Sequence, residues 1–425
     1  MDIQLMKQEM QDVVENNILR FWLDKMVDRE HGGFYGRIDG SEVLHPEAEK
    51  GAILNARILW SFSAAYRVLG NPEYLEAATR AKDYIIDHFL DKEYGGVYWS
   101  VDYLGNPLDT KKQFYAIGFA IYGMSEYARA TGDREALECA LQLFDCIEEH
   151  AFDSENNGYI EACTREWGEI ADMRLSELDA NFPKSQNTHL HIIEPYANLY
   201  RCLKEMQAST SCDYVPVIGS VLPIEVAVPQ ETLLRVEGAL RNIIGIFTDR
   251  ILNPETHHLD LFFEMDWTRG AGHLESYGHD IECSWLMHEA ALVLGDVDVL
   301  AKVEPIVREV AKASEKGLRP DGSMIHEANL DTGHVDDDLH WWVQAENVVG
   351  WYNLYQHFGD EQALERAFLC WNYIKTQIID WDNGEWHWSR HPDGSLNTVD
   401  DKAGFWKCPY HNSRMCLEII ERVAD

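Results

Sequence analysis

The chain has no run of 18 apolar residues, so no segment is long enough to cross a bilayer as a helix. It has no CxxC pair, and its nine cysteines are scattered and odd in number. That excludes a disulfide framework and points to reduced thiols in a cytoplasmic protein. Positive charge is scarce: 36 Lys and Arg stand against 73 Asp and Glu, a formal net charge of −37. Such a balance argues against nucleic acid and anionic lipid as partners. There is no GxGxxG and no P-loop to cradle a dinucleotide or phosphate, and no HExxH to hold zinc. The first residues, Met1 to Gln11, are polar with helical patterning, unlike a signal peptide.

What is present is a repeat. A Gly-aromatic turn recurs at Gly32-Gly33-Phe34-Tyr35, Gly95-Gly96-Val97-Tyr98-Trp99, Asn157-Gly158-Tyr159 and Asp382-Asn383-Gly384-Glu385-Trp386. Weaker copies stand at His257-His258-Leu259-Asp260-Leu261 and Pro320-Asp321-Gly322-Ser323-Met324. Aligned at Gly33, Gly96, Gly158, His258, Gly322 and Gly384, the intervals are 63, 62, 100, 64 and 62 residues. A period of about 60 residues holds one helical hairpin with its connections. Six copies without a linker predict an all-α fold, an (α/α)6 barrel forming one domain over 1–425. The alternating aromatics at Phe34 to Ile38 and Val97 to Val101 predict short β-hairpins at one mouth.

The helices follow from apolar periodicity. The stripe Ile53, Leu54, Ile58, Leu59, Phe62 and Ala65 ends at Gly70-Asn71-Pro72, and Tyr74 to Leu90 supplies the next helix. Pairs follow at 113–131 with 134–151, 188–206 with 231–252, 277–294 with 297–316, and 341–358 with 361–379. A last helix from about Tyr410 closes the ring against an N-terminal one spanning Ile3 to Met26. The 100-residue interval carries an excursion near Ala208–Gln230, peripheral or a lid.

Unusual polar residues gather near the start of one helix in each hairpin. The segments are Asn55-Ala56-Arg57, Gln113-Phe114-Tyr115, Asn187-Thr188-His189-Leu190-His191, Ser276-Tyr277-Gly278-His279-Asp280-Ile281-Glu282, His340-Trp341-Trp342-Val343-Gln344-Ala345-Glu346 and Lys407-Cys408-Pro409-Tyr410-His411-Asn412. In a toroid, equivalent repeat positions share a height, so these groups converge on one pocket. Of 18 histidines, only His191, His279 and His411 occupy this register, and most of the others read as surface or satisfied core. His279 and Glu282, at i, i+3, are close enough to hydrogen-bond, and His191 with Glu194 repeats the spacing. His189 and His191 point to different faces and make a poor chelate, so no metal is expected. Trp342 and Trp406, beside polar segments, suit stacking on sugar rings.

Taken together these segments resemble the signatures of the cellobiose 2-epimerase family, within the N-acylglucosamine 2-epimerase superfamily, whose fold is the (α/α)6 barrel. The resemblance covers the whole chain, with the extension at Ala208–Gln230 longer than the family pattern. It implies a cofactor-independent isomerase, monomeric or weakly dimeric, acting on a small-molecule disaccharide. Cellobiose would become glucosyl-mannose, and lactose epilactose, through ring opening and a cis-enediolate. It implies that His279 and His411 are the acid/base pair at C2 of the reducing-end sugar, with His191 assisting ring opening. Arg57 would polarise the C1 oxygen and Glu282 orient His279. Tyr115, Asp179, Asn187 and Glu346 would contact substrate, and Trp342 and Trp406 stack on sugar rings.

The chemistry suits this set. Inverting C2 removes a proton α to a carbonyl and returns it to the other face, so one base on each face is the simplest solution. Imidazole titrates near ~6.5, so one ring serves as neutral base and its partner as protonated acid at neutral pH. A guanidinium stabilises the developing oxyanion. Three other readings stand beside it: an aldose–ketose isomerase sharing the enediolate, a glycoside hydrolase using two carboxylates, and a non-catalytic carbohydrate-binding protein.

Overall fold

Every tight connection between paired helices joins a left-handed residue that ends one helix to a side chain that caps the next. Gly70 (φ 73°) precedes Asn71, which accepts from Glu73 N, and Gly132 (φ 75°) precedes Asp133, which accepts from Ala136 N. Asp296 and Asp360 cap the later pairs in the same way. The computed structural model describes residues 1–177, 179–210, 228–270 and 272–424, and most of the expected excursion, residues 211–227, lies outside the described residues.

Twelve α-helices are present among the described residues: α1 (Ile3–Val13), α2 (Ala52–Leu69), α3 (Pro72–Tyr84), α4 (Phe114–Thr131), α5 (Arg134–His150), α6 (Gln186–Thr210), α7 (Gln230–Ile246), α8 (Tyr277–Leu294), α9 (Val297–Ala313), α10 (Trp341–Phe358), α11 (Glu361–Tyr373) and α12 (Tyr410–Arg422). The even-numbered helices pack in a closed ring, each on the next, with α12 returning to α2. An odd-numbered partner backs each of them, and α1 pairs with α12. Burial separates the layers. Helix α4 is buried on every face from Phe114 to Ala128, whereas α5 buries only a stripe that includes Ala136, Ala140, Leu143 and Ile147. The helix pairs therefore stand where the periodicity placed them.

All six Gly-aromatic turns close with one equivalent β-bridge: Val27–Phe34, Leu90–Val97, Phe152–Tyr159, Leu252–Leu259, Leu318–Met324 and Ile379–Trp386. The extended strands expected through 34–38 and 97–101 are shorter than the aromatic pattern suggested. Only Ser100–Val101 is a strand there, pairing with Lys50–Gly51 of the preceding repeat. Two or three residues suffice where a strand ties a helix start to the next turn, as at Lys50–Gly51, Lys112–Gln113, Lys184–Ser185, Leu274–Ser276 and Leu339–His340. The first N–H of each inner helix from α2 to α10 donates to a carbonyl of the next repeat: Ala52 to Trp99 (3.0 Å), Phe114 to Glu161 (3.1 Å), Gln186 to Leu261 (2.8 Å), Tyr277 to His326 (3.1 Å) and Trp341 to Trp388 (2.9 Å). Helix-start donors that the helix itself leaves orphaned are thus satisfied by a neighbour. A pair of Ile38–Ala403 backbone bonds closes the circle.

Four of the six turns are also clamped by charge. Asp28 caps the N–H groups of Glu30 and His31 and receives the Lys50 ammonium at 2.7 Å. Asp91 with Lys112 (2.9 Å), Asp153 with Lys184 (2.7 Å) and Asp380 with Lys402 (2.6 Å) repeat the device. Lys50, Lys112 and Lys184 each lie just before an inner helix, so the clamps fix the depth of those helix starts. Asp28→Ala leaves the Lys50 ammonium buried without its carboxylate, and urea denaturation is expected to show a loss of about 3–5 kcal/mol. Removing Asp249 from Lys302, a pair with side chains 61% and 54% exposed, is expected to cost less than about 1 kcal/mol. Equal losses at the two sites would refute the clamp.

Candidate active site

The starts of the six inner helices bring the chemistry together. From α2 comes Arg57, buried, its Nη2 2.9 Å from the Tyr115 hydroxyl of α4. The guanidinium lies over the Phe119 ring at 4.2 Å and the Tyr410 ring at 4.8 Å. Among the described residues no carboxylate pairs with it, and its Nε is a buried donor without a partner. From α6 comes His191, whose ring meets Tyr115 at 4.8 Å and whose Nδ1 lies 3.0 Å from Glu194 Oε2. Pro195, four residues on, cannot donate to the His191 carbonyl. Gly118 of α4 packs onto that carbonyl so closely that a Cβ would stand 2.4 Å from it. His189 turns the other way and is structural, bonding Ser185 O (2.6 Å) and the Tyr159 N–H (3.0 Å).

Opposite stands a buried hub that the sequence reading passed over. Arg414 of α12 has no exposed surface. Its Nη1 donates to Glu194 Oε1 and to the Tyr410 hydroxyl, and Nη2 donates to Glu282 Oε1 (2.8 Å) and Glu346 Oε1 (2.6 Å). Tyr410 also donates to Glu194. His411 Nδ1 lies 2.6 Å from Glu346 Oε1, and Trp285 Nε1 donates to Glu346 Oε2 at 2.9 Å. The segment carrying His411 is held by Glu385, which receives Lys407 Nζ (2.9 Å) and Asn412 Nδ2 (2.5 Å).

His279 of α8 has a different anchor, the Ser276 hydroxyl at 2.8 Å from Nδ1. The Trp342 indole lies between this ring and His411, with centroids at 4.9 and 5.7 Å. Gly278 makes room for it, since a Cβ there would reach Trp342 at 2.6 Å. Trp406 packs on Tyr115 at 6.1 Å. All three catalytic candidates thus have Nδ1 anchored, while Nε2 bonds to no described residue. A cavity of about 480 Å³ reaches His279, and its walls include Asp179, Asn187, Glu161, His326, Glu327 and Asp336. That volume suits a small organic ligand. Asn187 Oδ1 is a buried acceptor with no partner, and Asp179 accepts from the N–H and hydroxyl of Ser176 (2.9 and 2.8 Å).

The family model described as N-acylglucosamine 2-epimerase (GlcNAc 2-epimerase) matches residues 33–195 and 236–414. The chain belongs to that family. It is 58% identical to a cellobiose 2-epimerase of Bacteroides fragilis over 98% of this chain and 99% of that protein. It resembles the structure of the cellobiose 2-epimerase of Bacillus thermoamylovorans with a TM-score of 0.88 and 39% identity, over 99% of this chain and 100% of that one. A D-mannose isomerase structure shares the fold, with a TM-score of 0.79 and 18% identity over 98% of each chain. No helix among the described residues is long and apolar enough to cross a membrane.

Burial dominates the electrostatics of this epimerase-family site. It lowers the His279 and His411 imidazoles to about 3 and His191 well below its ordinary value. Neighbouring His326 adds to the effect at His279, while Glu346 opposes it at His411. Burial therefore favours the neutral form of all three rings, so the one that serves as acid gains its proton against that tendency. Burial also pushes Glu346 upward, but Arg414 and His411 outweigh it and hold the carboxyl at about 2. Burial, reinforced by the neighbouring Glu346, raises Glu282 well above the carboxylate range.

Two expected roles change. Glu282 does not orient His279, because its carboxylate is drawn to Arg414 and lies 3.9 Å from His411 Nδ1. Glu346, expected to contact substrate, has both oxygens engaged by Arg414, His411 and Trp285, and so positions His411. Arg57, His191, His411, Tyr115, Trp342 and Trp406 converge as the register implied, and Asp179 and Asn187 line the cavity. The residues missed had signals. Trp99, Glu161, Leu261, His326 and Trp388 share the turn position that accepts an inner-helix N–H, which marks His326 and Glu161 as mouth residues. Arg414 sits three residues after His411, on the same helix face, and three inward carboxylates demand a cation.

The depressed imidazoles give a signed expectation. Above about 6.5 neither folded nor unfolded chain protonates these rings. As pH falls from there toward 3, the unfolded chain takes up protons that the folded one refuses, so stability declines. Ring-proton NMR is expected to show no titration of His279 or His411 between pH 5 and 8. A step near 6.5 for either ring contradicts it. Arg414→Gln strands buried carboxylates and is expected to cost about 3–5 kcal/mol. In whatever fraction folds, Glu346 rises, so the acid limb of the rate profile moves to higher pH. A purely structural role would lower the rate without moving that limb.

Proposed function

We propose that this chain is a single (α/α)6-barrel catalytic domain over 1–425 that inverts C2 of the reducing-end glucose of a β-1,4-linked disaccharide such as cellobiose or lactose. The observation that carries the reading is the set of three imidazoles, each anchored at Nδ1, beside a buried arginine, with neither the Nε2 atoms nor the guanidinium paired to a carboxylate among the described residues. The full-length likeness to cellobiose 2-epimerases supports the substrate class.

The pyranose opens first, His191 with Glu194 exchanging protons at the ring and anomeric oxygens. The C1 aldehyde oxygen then lies toward Arg57 and the Tyr115 hydroxyl, whose proton burial holds in place. When the C2–H bond breaks, the proton passes to the Nε2 of one histidine of the pair His279 and His411. The electron pair becomes the C1–C2 double bond of a cis-enediolate, and the negative charge settles on the C1 oxygen. The guanidinium stabilises that oxyanion, an effect typically worth on the order of 3 kcal/mol for one such donor. The other imidazole, having taken a proton from solvent as the sugar binds, returns it as imidazolium to the opposite face. The proton held by the first is released to solvent before the next turnover. Glu346 at 2.6 Å favours that charged form at His411, while Ser276 offers His279 no charge. Sugar hydroxyls meet Asn187 and Asp179, and the indoles of Trp342 and Trp406 pack on the rings.

Incubation with cellobiose in deuterated water is expected to yield the C2 epimer carrying deuterium at C2. Release of free glucose would indicate hydrolysis, and ketose as the main product an aldose–ketose isomerase. His279→Ala and His411→Ala are each expected to lower kcat by roughly 10²–10⁴-fold with unchanged circular dichroism. Substantial turnover in either variant sinks the two-base assignment.

A further inference from the structure

At the rim of the cavity, three side chains that the proton chemistry does not use face one another. His326 precedes the strand Glu327–Asn329, Asp336 ends the strand His334–Asp336, and His340 immediately precedes α10. The two strands pair antiparallel, with Asp336 opposite Glu327, and His326 N donates to Asp336 O at 3.2 Å. Leu274–Ser276 completes the sheet, so the backbone under the cluster is fixed on both sides. His326 Nδ1 lies 2.8 Å from Asp336 Oδ2, and His340 Nε2 lies 3.7 Å from the same oxygen. One donor atom from each residue lies within 4.8 Å of the other two.

Charge and access fit a cation. Asp336 has no lysine or arginine partner among the described residues; its side-chain bonds run to the two histidines and the Asp338 N–H. Asp179 and Glu327 border the same cavity, and the one arginine on its wall, Arg174, is already held by Asp172 at 2.8 and 2.7 Å. Side-chain exposures of 20% for His326, 34% for Asp336 and 16% for His340 leave an entry path without leaving the ligands loose. The other close grouping, Glu282, Glu346 and His411, already holds its cation in Arg414.

We propose that His326, Asp336 and His340 form a binding site for a divalent transition-metal ion of the zinc class at the mouth of the barrel. Two imidazole nitrogens and one carboxylate oxygen are a donor set such ions take with a position left open. An ion about 2.1 Å from each ligand requires donor atoms roughly 3–3.5 Å apart, and a small turn of the His340 ring meets that. His326 and Asp336 also line the cavity, which puts a water or sugar hydroxyl within reach to complete the coordination. The site takes no part in proton transfer at C2, so its test stands apart from that of the proposed reaction.

Calorimetric titration of the full chain with Zn²⁺ at pH 7 is expected to show one saturable site. Asp336→Asn, His340→Gln and His326→Gln are each expected to weaken it at least tenfold, with circular dichroism reporting the fold. His273→Gln, which breaks the exposed His273–Asp331 pair at 2.6 Å, is expected to leave it unchanged. Co²⁺ is expected to give visible absorption bands that disappear in the same three variants. Absence of a saturable site overturns the proposal. So does binding that survives the three substitutions, or binding that falls equally with His273→Gln.

Discussion

Three glutamates from three helices point into the centre of this ring, and one guanidinium keeps them there. Without Arg414, Glu194, Glu282 and Glu346 would be buried carboxylates facing one another across a few ångströms, where burial and mutual repulsion both oppose ionisation. With it, the Glu346 carboxyl is held low, while burial and the neighbouring Glu346 keep that of Glu282 high. The arrangement also orients catalysis at one remove. Glu194 fixes the His191 ring and Glu346 fixes the His411 ring, so two imidazoles on opposite sides of the pocket answer to the same cation. His279 is held only by a serine hydroxyl, which leaves the proton-handling pair chemically unequal.

This centre depends on the scaffold around it. The side chains reach one another because the helix starts share a height, and the height is set by the Asp–Lys clamps and the hydrogen bonds each helix start takes from the next turn. Two glycines then remove the last obstacles, Gly118 where α4 meets the His191 carbonyl and Gly278 where Trp342 slides in beside His279. Residues that touch no sugar therefore decide where the reacting nitrogens stand.

Much of this was legible in the residues. Periodicity 3.6 placed the helix pairs, and the Gly-aromatic turns gave a register that singled out His191, His279, His411 and Arg57. What stayed hidden was partnership. Spacing puts Glu282 within reach of His279, but only the fold shows that Arg414, 132 residues further along the chain, pulls it away. The protonation states were hidden for a related reason, since burial depth is a property of the closed ring and not of any segment. Nothing in the local sequence marks Lys50, Lys112 and Lys184 as buried, yet each neutralises a turn aspartate.

The borrowed helix-start bonds have a consequence for how the molecule comes apart. In an open stack of repeats the end units have one neighbour and fray first. Here the repeats form a circle, and no inner helix from α2 to α10 completes its own first turn without the following hairpin. Loosening any one hairpin strips a cap from the unit before it and a support from the unit after it. The ring therefore has no weak end from which partial opening can spread, and its hairpins are expected to stand or fall as one cooperative body.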